Sequence, residues 1–268
     1  WMPRSMRLRR AIVDAMKSRH AKILERLAAN GEDSVQALAE HFQVSVMTIR
    51  RDLAELESKG ELARTHGGAM LSRANIIEFA FREKGQHNAE EKQAIAREAA
   101  ALVHPGMTIT LDTGTTTLEV AKALAGVPDL TVLTCSLAIA SALYGRPNIA
   151  LLLAGGAVRA GSPDLYGWLT EENLKQFRVD VAFIGADGAD REGVFTTDVD
   201  VARVSQAMIA SAGETVLVAD HTKFARPAFV RFAPWRDIGR VITGRKMPAN
   251  TRRWLKKAVG TVTYATPA

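Results

Sequence analysis

Two groups of residues in this chain have the types and spacing to grip an anion. The first is Ser45, Thr48, Arg50 and Arg51, followed a short interval later by Arg64 and His66. Hydroxyls and guanidinium groups gathered at the start of one helix are the donors that base edges and phosphate oxygens accept from. The second is the segment Asp112-Thr113-Gly114-Thr115-Thr116-Thr117. There a glycine lets the backbone turn sharply, threonine hydroxyls donate, and backbone N–H groups at a helix start favour an anion such as phosphate.

The first group needs a helix with one buried side. In Val46 to Glu57 the aliphatics Val46, Ile49, Leu53 and Leu56 recur at spacings of three and four, which places them on one face, with Ser45 as N-cap. The preceding helix rests on Val35, Leu38, Ala39 and Phe42 with Ser34 as its cap, and Gln43-Val44 makes the turn between the two. Upstream, His20 to Ala29 carries Ile23, Leu24 and Leu27 and stops at Asn30-Gly31. Downstream, Gly60 ends the second helix, and Glu61 to Met70, turned at Gly67-Gly68, suits a two-stranded wing. The expectation is a winged helix-turn-helix whose second helix enters a major groove.

The second group needs a sheet. From Glu90 onward, short β-branched runs alternate with helical periodicity, the pattern of an α/β domain with a mostly parallel sheet covered on both faces. The strands expected are Thr108 to Leu111, Leu130 to Thr134, Ile149 to Leu153, Val179 to Ile184, Thr215 to Ala219, Arg240 to Thr243 and Val262 to Tyr264. The helices expected are Ala89 to Val103, Thr117 to Leu124, Leu137 to Tyr144, Thr170 to Phe177, Val201 to Ala212 and Asn250 to Ala258. In such sheets ligands gather at the strand C-terminal ends. Beside the threonine-rich segment, those ends carry Thr134-Cys135-Ser136, Gly155-Gly156, Gly185-Ala186-Asp187-Gly188 and Asp220-His221-Thr222-Lys223.

Four segments are expected: a basic extension over 1–18, the winged helix-turn-helix over 19–73, a linker over 74–89 whose Phe79 and Phe81 anchor it to the next domain, and the α/β domain over 90–268. The chain has 268 residues and a net charge of +6, unevenly spread. Residues 1–73 hold 13 Lys and Arg against 9 Asp and Glu, and the remainder hold 22 against 20. That bias suits contact with a polyanion and salt-sensitive binding. Arg4, Arg7, Arg9 and Arg10 fit a solvated helical extension first and, as the alternative, an arm that touches phosphate. The single cysteine, Cys135, excludes an intramolecular disulfide and a Cys-rich zinc site and fits a reducing cytoplasm. No run approaches the ~20 apolar residues that span a bilayer, so no membrane partner is expected, and Trp1 to Ser18 has no apolar h-region.

Val44-Ser45, Thr48-Ile49-Arg50-Arg51-Asp52-Leu53, Leu56, Gly60 and Arg64-Thr65-His66-Gly67-Gly68-Ala69 resemble the DNA-binding domain of the DeoR family of bacterial transcriptional regulators. Leu111 to Thr116, Gly155-Gly156, Phe183 to Gly188, and Asp220 with Lys223 resemble the effector-sensing domain of the same family, which is similar in fold to ribose-5-phosphate isomerase and CoA transferases. The resemblance implies a transcription factor that is a homodimer or homotetramer, a double-stranded DNA operator and a phosphorylated sugar or polyol effector. Ser45, Thr48, Arg50, Arg51, Arg64 and His66 are then the DNA-binding set. Asp112, Thr113, Gly114, Thr115, Thr116, Cys135, Ser136, Gly155, Gly156, Asp187 and Lys223 are the effector set, with the Gly114 to Thr116 loop on the phosphate and Asp187 and Lys223 near the sugar.

Three positions depart from the family pattern: Cys135 in place of Asn, Ser205 in place of Lys, and Gly244 in place of Asp. The alternative is a sugar-phosphate isomerase or transferase with an accessory head. Against it, Gly188 stands where the isomerases carry a second acid, and no paired, tuned set for general acid-base work can be assembled. No catalytic residues, cofactor or metal are expected.

Overall fold

The computed structural model describes residues 18–71, 81, 84–159, 162–224, 226 and 228–267, which fall into two compact units divided between Glu83 and Lys84. The four N-terminal arginines and Phe79 lie outside the described residues.

In the first unit, helix α1 (residues 18–30) stops where Gly31 takes φ 82° and returns its N–H to the Leu27 carbonyl. Strand β1 (Glu32–Ser34) leads into α2 (Val35–Phe42), capped by Ser34 Oγ accepting from Ala37 N at 3.0 Å. Gln43 turns the chain with φ 52°, and α3 (Val46–Ser58) begins at a second serine cap, Ser45 Oγ accepting from Thr48 N at 3.1 Å. Ile23, Leu27, Leu38, Ile49, Leu53 and Leu56 close the core between the three helices, as the three-and-four spacing requires.

The wing differs from the expected two-stranded form. Strands β2 (Ala63–Arg64) and β3 (Gly68–Met70) are joined by β1 in the order β1-β3-β2, all antiparallel. Gly68 permits this: a Cβ there would lie 2.1 Å from the Asp33 carbonyl oxygen, so only glycine lets the two backbones pair. A second unexpected feature ties the helices together. Asp52, 2% exposed, accepts from Arg19 Nε at 2.6 Å and Nη2 at 3.0 Å and faces His20 Nε2 at 3.2 Å, pinning α1 to α3.

The second unit opens with a helical segment α4 (described over 84–86) and α5 (Ala89–Ala100). Its centre is a seven-stranded, wholly parallel sheet of β4 (Thr108–Leu111), β5 (Leu130–Thr134), β6 (Ile149–Leu153), β9 (Val179–Ile184), β12 (Ala212–Val218), β14 (Arg240–Gly244) and β15 (Thr261–Ala265). The order is β15-β14-β12-β9-β4-β5-β6. Strand alternation divides the core in two. Val181, Phe183, Val216 and Val218 face α5, α6 (Thr115–Leu124) and α7 (Leu137–Leu143), while Ala182, Ile184 and Leu217 face α8 (Trp168–Lys175), α9 (Val199–Ser211) and α10 (Ala249–Ala258).

Five of the seven strands match the expected start, and four match it at both ends; β12 begins three residues earlier and β15 one residue earlier. Helix α6 begins at Thr115 rather than Thr117, which puts both threonines into the first helical turn. Unforeseen are the hairpin β7 (Ala157–Val158) with β8 (Leu165–Tyr166) and the antiparallel sheet β10 (Gly188–Ala189), β11 (Val194–Thr196) and β13 (Val230–Ala233). These strands are two to four residues long, too short to show a period of two. Among the described residues no helix is long and apolar enough to cross a membrane.

Candidate functional site

On the first unit, the core side of α3 is Ile49, Asp52, Leu53 and Leu56, leaving Arg50 and Arg51 exposed and without an ion-pair partner among the described residues. Ser45 and Thr48 are partly committed to the helix start: Ser45 Oγ takes the Thr48 amide, and the two hydroxyls meet at 2.9 Å. Arg64 is exposed on β2, its guanidinium 3.9 Å from Glu57, and His66 is exposed at the wing turn. All six predicted residues therefore lie on the helix start or the wing, and all but the half-buried Thr48 are exposed. Met47, which the periodicity left unassigned, is 66% exposed on the same helix.

On the second unit, the predicted loops all follow C-terminal ends of neighbouring parallel strands. After β4, Asp112 is buried, accepting from Gly185 N at 3.0 Å and Thr113 N at 2.7 Å; burial pushes its carboxyl up to about 7 despite those two donors. Gly114 takes φ 147° and supplies no side-chain cap to α6, so the first N–H groups of that helix, at Thr115 and Thr116, are left for another acceptor. After β5, Cys135 is fully buried in the core, where desolvation pushes its thiol up, and Ser136 caps α7 through Ile139 N. Cys135 is therefore an unreactive packing group. After β6, Gly155 and Gly156 take φ 75° and 123°, and the loop is fastened to α8 by Thr170 Oγ1 donating to Gly155 O and Asn173 Nδ2 donating to Ala154 O.

The remaining loops bring charge. Asp187 accepts from Thr196 Oγ1, from Thr197 N and Oγ1, and from Lys84 Nζ at 3.3 Å. Burial raises its carboxyl, but Lys84 and these donors outweigh that and hold it below its usual value. Lys223 is half-buried on the turn after β12, and Lys92, 3% exposed on α5, donates to the Lys84 carbonyl. Desolvation lowers both ammonium groups; Lys84 lowers both further, and Asp220 opposes the shift in each. Lys84 and Lys92 escaped sequence reading because lysines on polar helix faces look solvated. Their only signal was a place at the very start of the α/β unit.

Glu91, Asp220 and His221 also lie within 4.8 Å of one another. Their carboxylates are already engaged: Glu91 accepts from His221 N and faces His221 Nδ1, both at 2.7 Å, and Asp220 accepts from Asn88 Nδ2 and Thr222 N. With Lys92 and Lys223 close by, this is an internal network rather than a cation site. The network also explains Gly244, since a Cβ there would lie 2.1 Å from Glu91 Oε1. Gly188 has a comparable cause: a Cβ would lie 2.3 Å from the Arg226 carbonyl oxygen, so this backbone has no room for the isomerases' second acid.

A helical head with an exposed arginine face, joined in one chain to a parallel α/β unit with polar loops at its strand ends, is the build of a two-part DNA-binding regulator. Residues 19–74 match the DeoR-like helix-turn-helix domain, and residues 87–245 match the DeoR C-terminal sensor domain. The chain is 33% identical to the putative aga operon transcriptional repressor of Escherichia coli O157:H7, over 92% of this chain and 93% of that one. It is 34% identical to the glycerol-3-phosphate regulon repressor of Escherichia coli strain K12, over 88% and 94%. Among solved structures, ribose-5-phosphate isomerase from Methanocaldococcus jannaschii aligns over 52% of this chain and 55% of its own, with 22% identity and a TM-score of 0.37. The chain belongs to the DeoR family and is a transcriptional repressor rather than an enzyme.

Proposed function

We propose that this repressor binds an operator as a dimer through α3 and the wing, and that a phosphorylated sugar or polyol at the C-terminal edge of the sheet controls it. The observation that carries the effector reading is an uncapped helix start at Gly114 to Thr116, against whose Thr115 methyl Gly85 packs, with the adjacent Lys84 in electrostatic reach of Lys92 and Lys223. Burial holds Lys92 and Lys223 below their usual value, repulsion from Lys84 lowers both further and Lys223 also lowers Lys92, and a bound dianion would relieve that repulsion. Asp187 and Asp220 supply acceptors for sugar hydroxyls beside the cations. That one relative is named for the glycerol-3-phosphate regulon supports a polyol phosphate. On this reading Thr48 and Arg51 approach bases, while Arg50, Arg64 and His66 mostly meet phosphate or the minor groove. A dimer fits because helix-turn-helix heads read paired half-sites about 34 Å apart.

The test is thermal stability of the full chain against glycerol 3-phosphate, a panel of pentose and hexose phosphates, and inorganic phosphate. A ligand at 100 times its Kd should stabilise the sensor unit by about 2.7 kcal/mol. The stabilisation should vanish in Thr115→Val/Thr116→Val while DNA affinity stays. Undiminished effector affinity in that double variant would dismiss the threonine loop as the phosphate site.

A further inference from the structure

Among the described residues of the first unit Met47 is the most exposed large apolar side chain, at 66%, and it sits in the first turn of the helix that carries Arg50 and Arg51. A single exposed apolar side chain is ordinary by itself and contributes nothing to the core. Its direction is informative. At 3.6 residues per turn, Met47 and Arg51 project within about 40° of each other, on the side opposite Ile49 and Leu53. Ala54, also exposed, continues that face one turn further on. The outermost stripe of α3 is therefore apolar, cationic, apolar in sequence.

The neighbouring hydroxyls offer hydrogen bonds rather than apolar surface, and they are partly engaged. Ser45 Oγ and Thr48 Oγ1 meet each other at 2.9 Å, and Ser45 Oγ also caps the helix, so the polar groups of the first turn are already partly occupied. In the major groove, arginine reads guanine through O6 and N7, and apolar side chains read the C5-methyl of thymine. Four residues of helix advance about 6 Å, close to two base-pair steps.

We infer that Met47 is a specificity residue that packs against the C5-methyl of a thymine lying within about two base pairs of the guanine read by Arg51. The inference rests on the reading of α3 as the groove helix. Met47 discriminates by surface rather than by hydrogen bond, so its base preference is a preference for a methyl group at one position. Cytosine methylated at C5 would satisfy it in the same place.

The experiment begins by selecting bound duplexes from a random-sequence pool with the full-length protein. Each thymine of the enriched site is then replaced singly by 2′-deoxyuridine, which removes only the methyl, and Kd is measured by fluorescence anisotropy for wild type and Met47→Ala. One replacement should weaken the wild type about fourfold, the worth of one methyl group removed from water. Met47→Ala should bind the parent duplex more weakly and be indifferent to that same replacement. Equal uracil penalties in both proteins, or none at any position, would overturn the assignment while leaving α3 as the groove helix. Failure of the wild type to enrich any sequence would instead overturn the groove-helix reading and Met47 with it. Because Met47 lies outside the core, an unchanged melting temperature in the variant confirms that folding is not being measured.

Discussion

The strongest single restraint on the DNA-binding head should be Asp52, and replacing it with Asn gives a measurable consequence. Its carboxylate is 2% exposed and is held by two Arg19 nitrogens at 2.6 and 3.0 Å, with His20 Nε2 at 3.2 Å; the Arg19 and His20 side chains are 21% and 8% exposed. Breaking a buried pair by removing one partner costs about 3 to 5 kcal/mol, and the partial exposure of Arg19 places this case near 3 kcal/mol. A head this small begins from a stability at the low end of the usual range, about 5 kcal/mol. Asp52→Asn should therefore lower the head's melting transition by about 12 to 24 °C, at 4 to 8 °C per kcal/mol for a unit of this size. The sensor transition should stay fixed. Scanning calorimetry of the full chain separates the two, and operator affinity should fall on warming to 37 °C while persisting at 10 °C. Arg19→Met with Asp52→Leu should recover most of the loss, because the unpaired charge is gone. A head transition moved by less than about 3 °C by Asp52→Asn would show that helix packing alone orients α3, and the reasoning would fail.

Asp112 carries the pH dependence. Its carboxyl rises from 3.8 to about 7 on folding because burial disfavours the anion, so native stability declines as pH climbs from about 4 through 7. The shift corresponds to up to about 4 kcal/mol. Asp112→Asn keeps one of the two acceptor oxygens, as the protonated acid does, and should match the wild type near pH 4 yet exceed it at pH 8; a urea-measured gap that is equal at both pH values would contradict this. Gly156→Ala should destabilise the sensor unit by about 2 to 4 kcal/mol, since its Cβ would fall 1.9 Å from Thr170 Oγ1 and 2.8 Å from the Tyr166 carbonyl at φ 123°. Gly155→Ala, at φ 75° with its nearest neighbour 3.4 Å away, should cost about 1 kcal/mol, and equal melting shifts for the pair would show that the loop yields.

The seven-stranded sheet was legible because its strands are β-branched, apolar runs, and strands buried on both faces announce themselves without any partner. The serine caps at Ser34 and Ser45 were legible for a similar reason, being local chemistry. What sequence could not show depends on distant backbone. Strand β1 exists only because Gly68, some 34 residues on, leaves room for the Asp33 carbonyl, and β10 is admitted by Gly188 against Arg226. Asp52 looked like one more charge on a polar face until α1 delivered Arg19 and His20 to it. Lys84 and Lys92 join the site from a segment that periodicity assigns to linker and helix.

The departures at Gly244 and Ser205 make sense together with the charges that are present. Because Gly244 has no side chain, Glu91 can fill the space at the end of β14 and accept from His221 N and Nδ1. That fastens the Asp220 to Lys223 turn to α5, the helix that also carries Lys92. Ser205, 1% exposed in α9, contributes no cation, but Lys92 and Lys223 are held on the opposite side by that fastening, and Lys84 is held by Asp187. On the effector reading proposed above, positive charge from α4, α5 and the turn after β12 would stand in for a lysine on α9. The same edge has no place for a second acid at Gly188 and leaves Cys135 sealed in the core. On the same effector reading, that edge would meet an anion with cations and backbone N–H groups alone, since neither Gly188 nor Cys135 offers it a group for acid-base work.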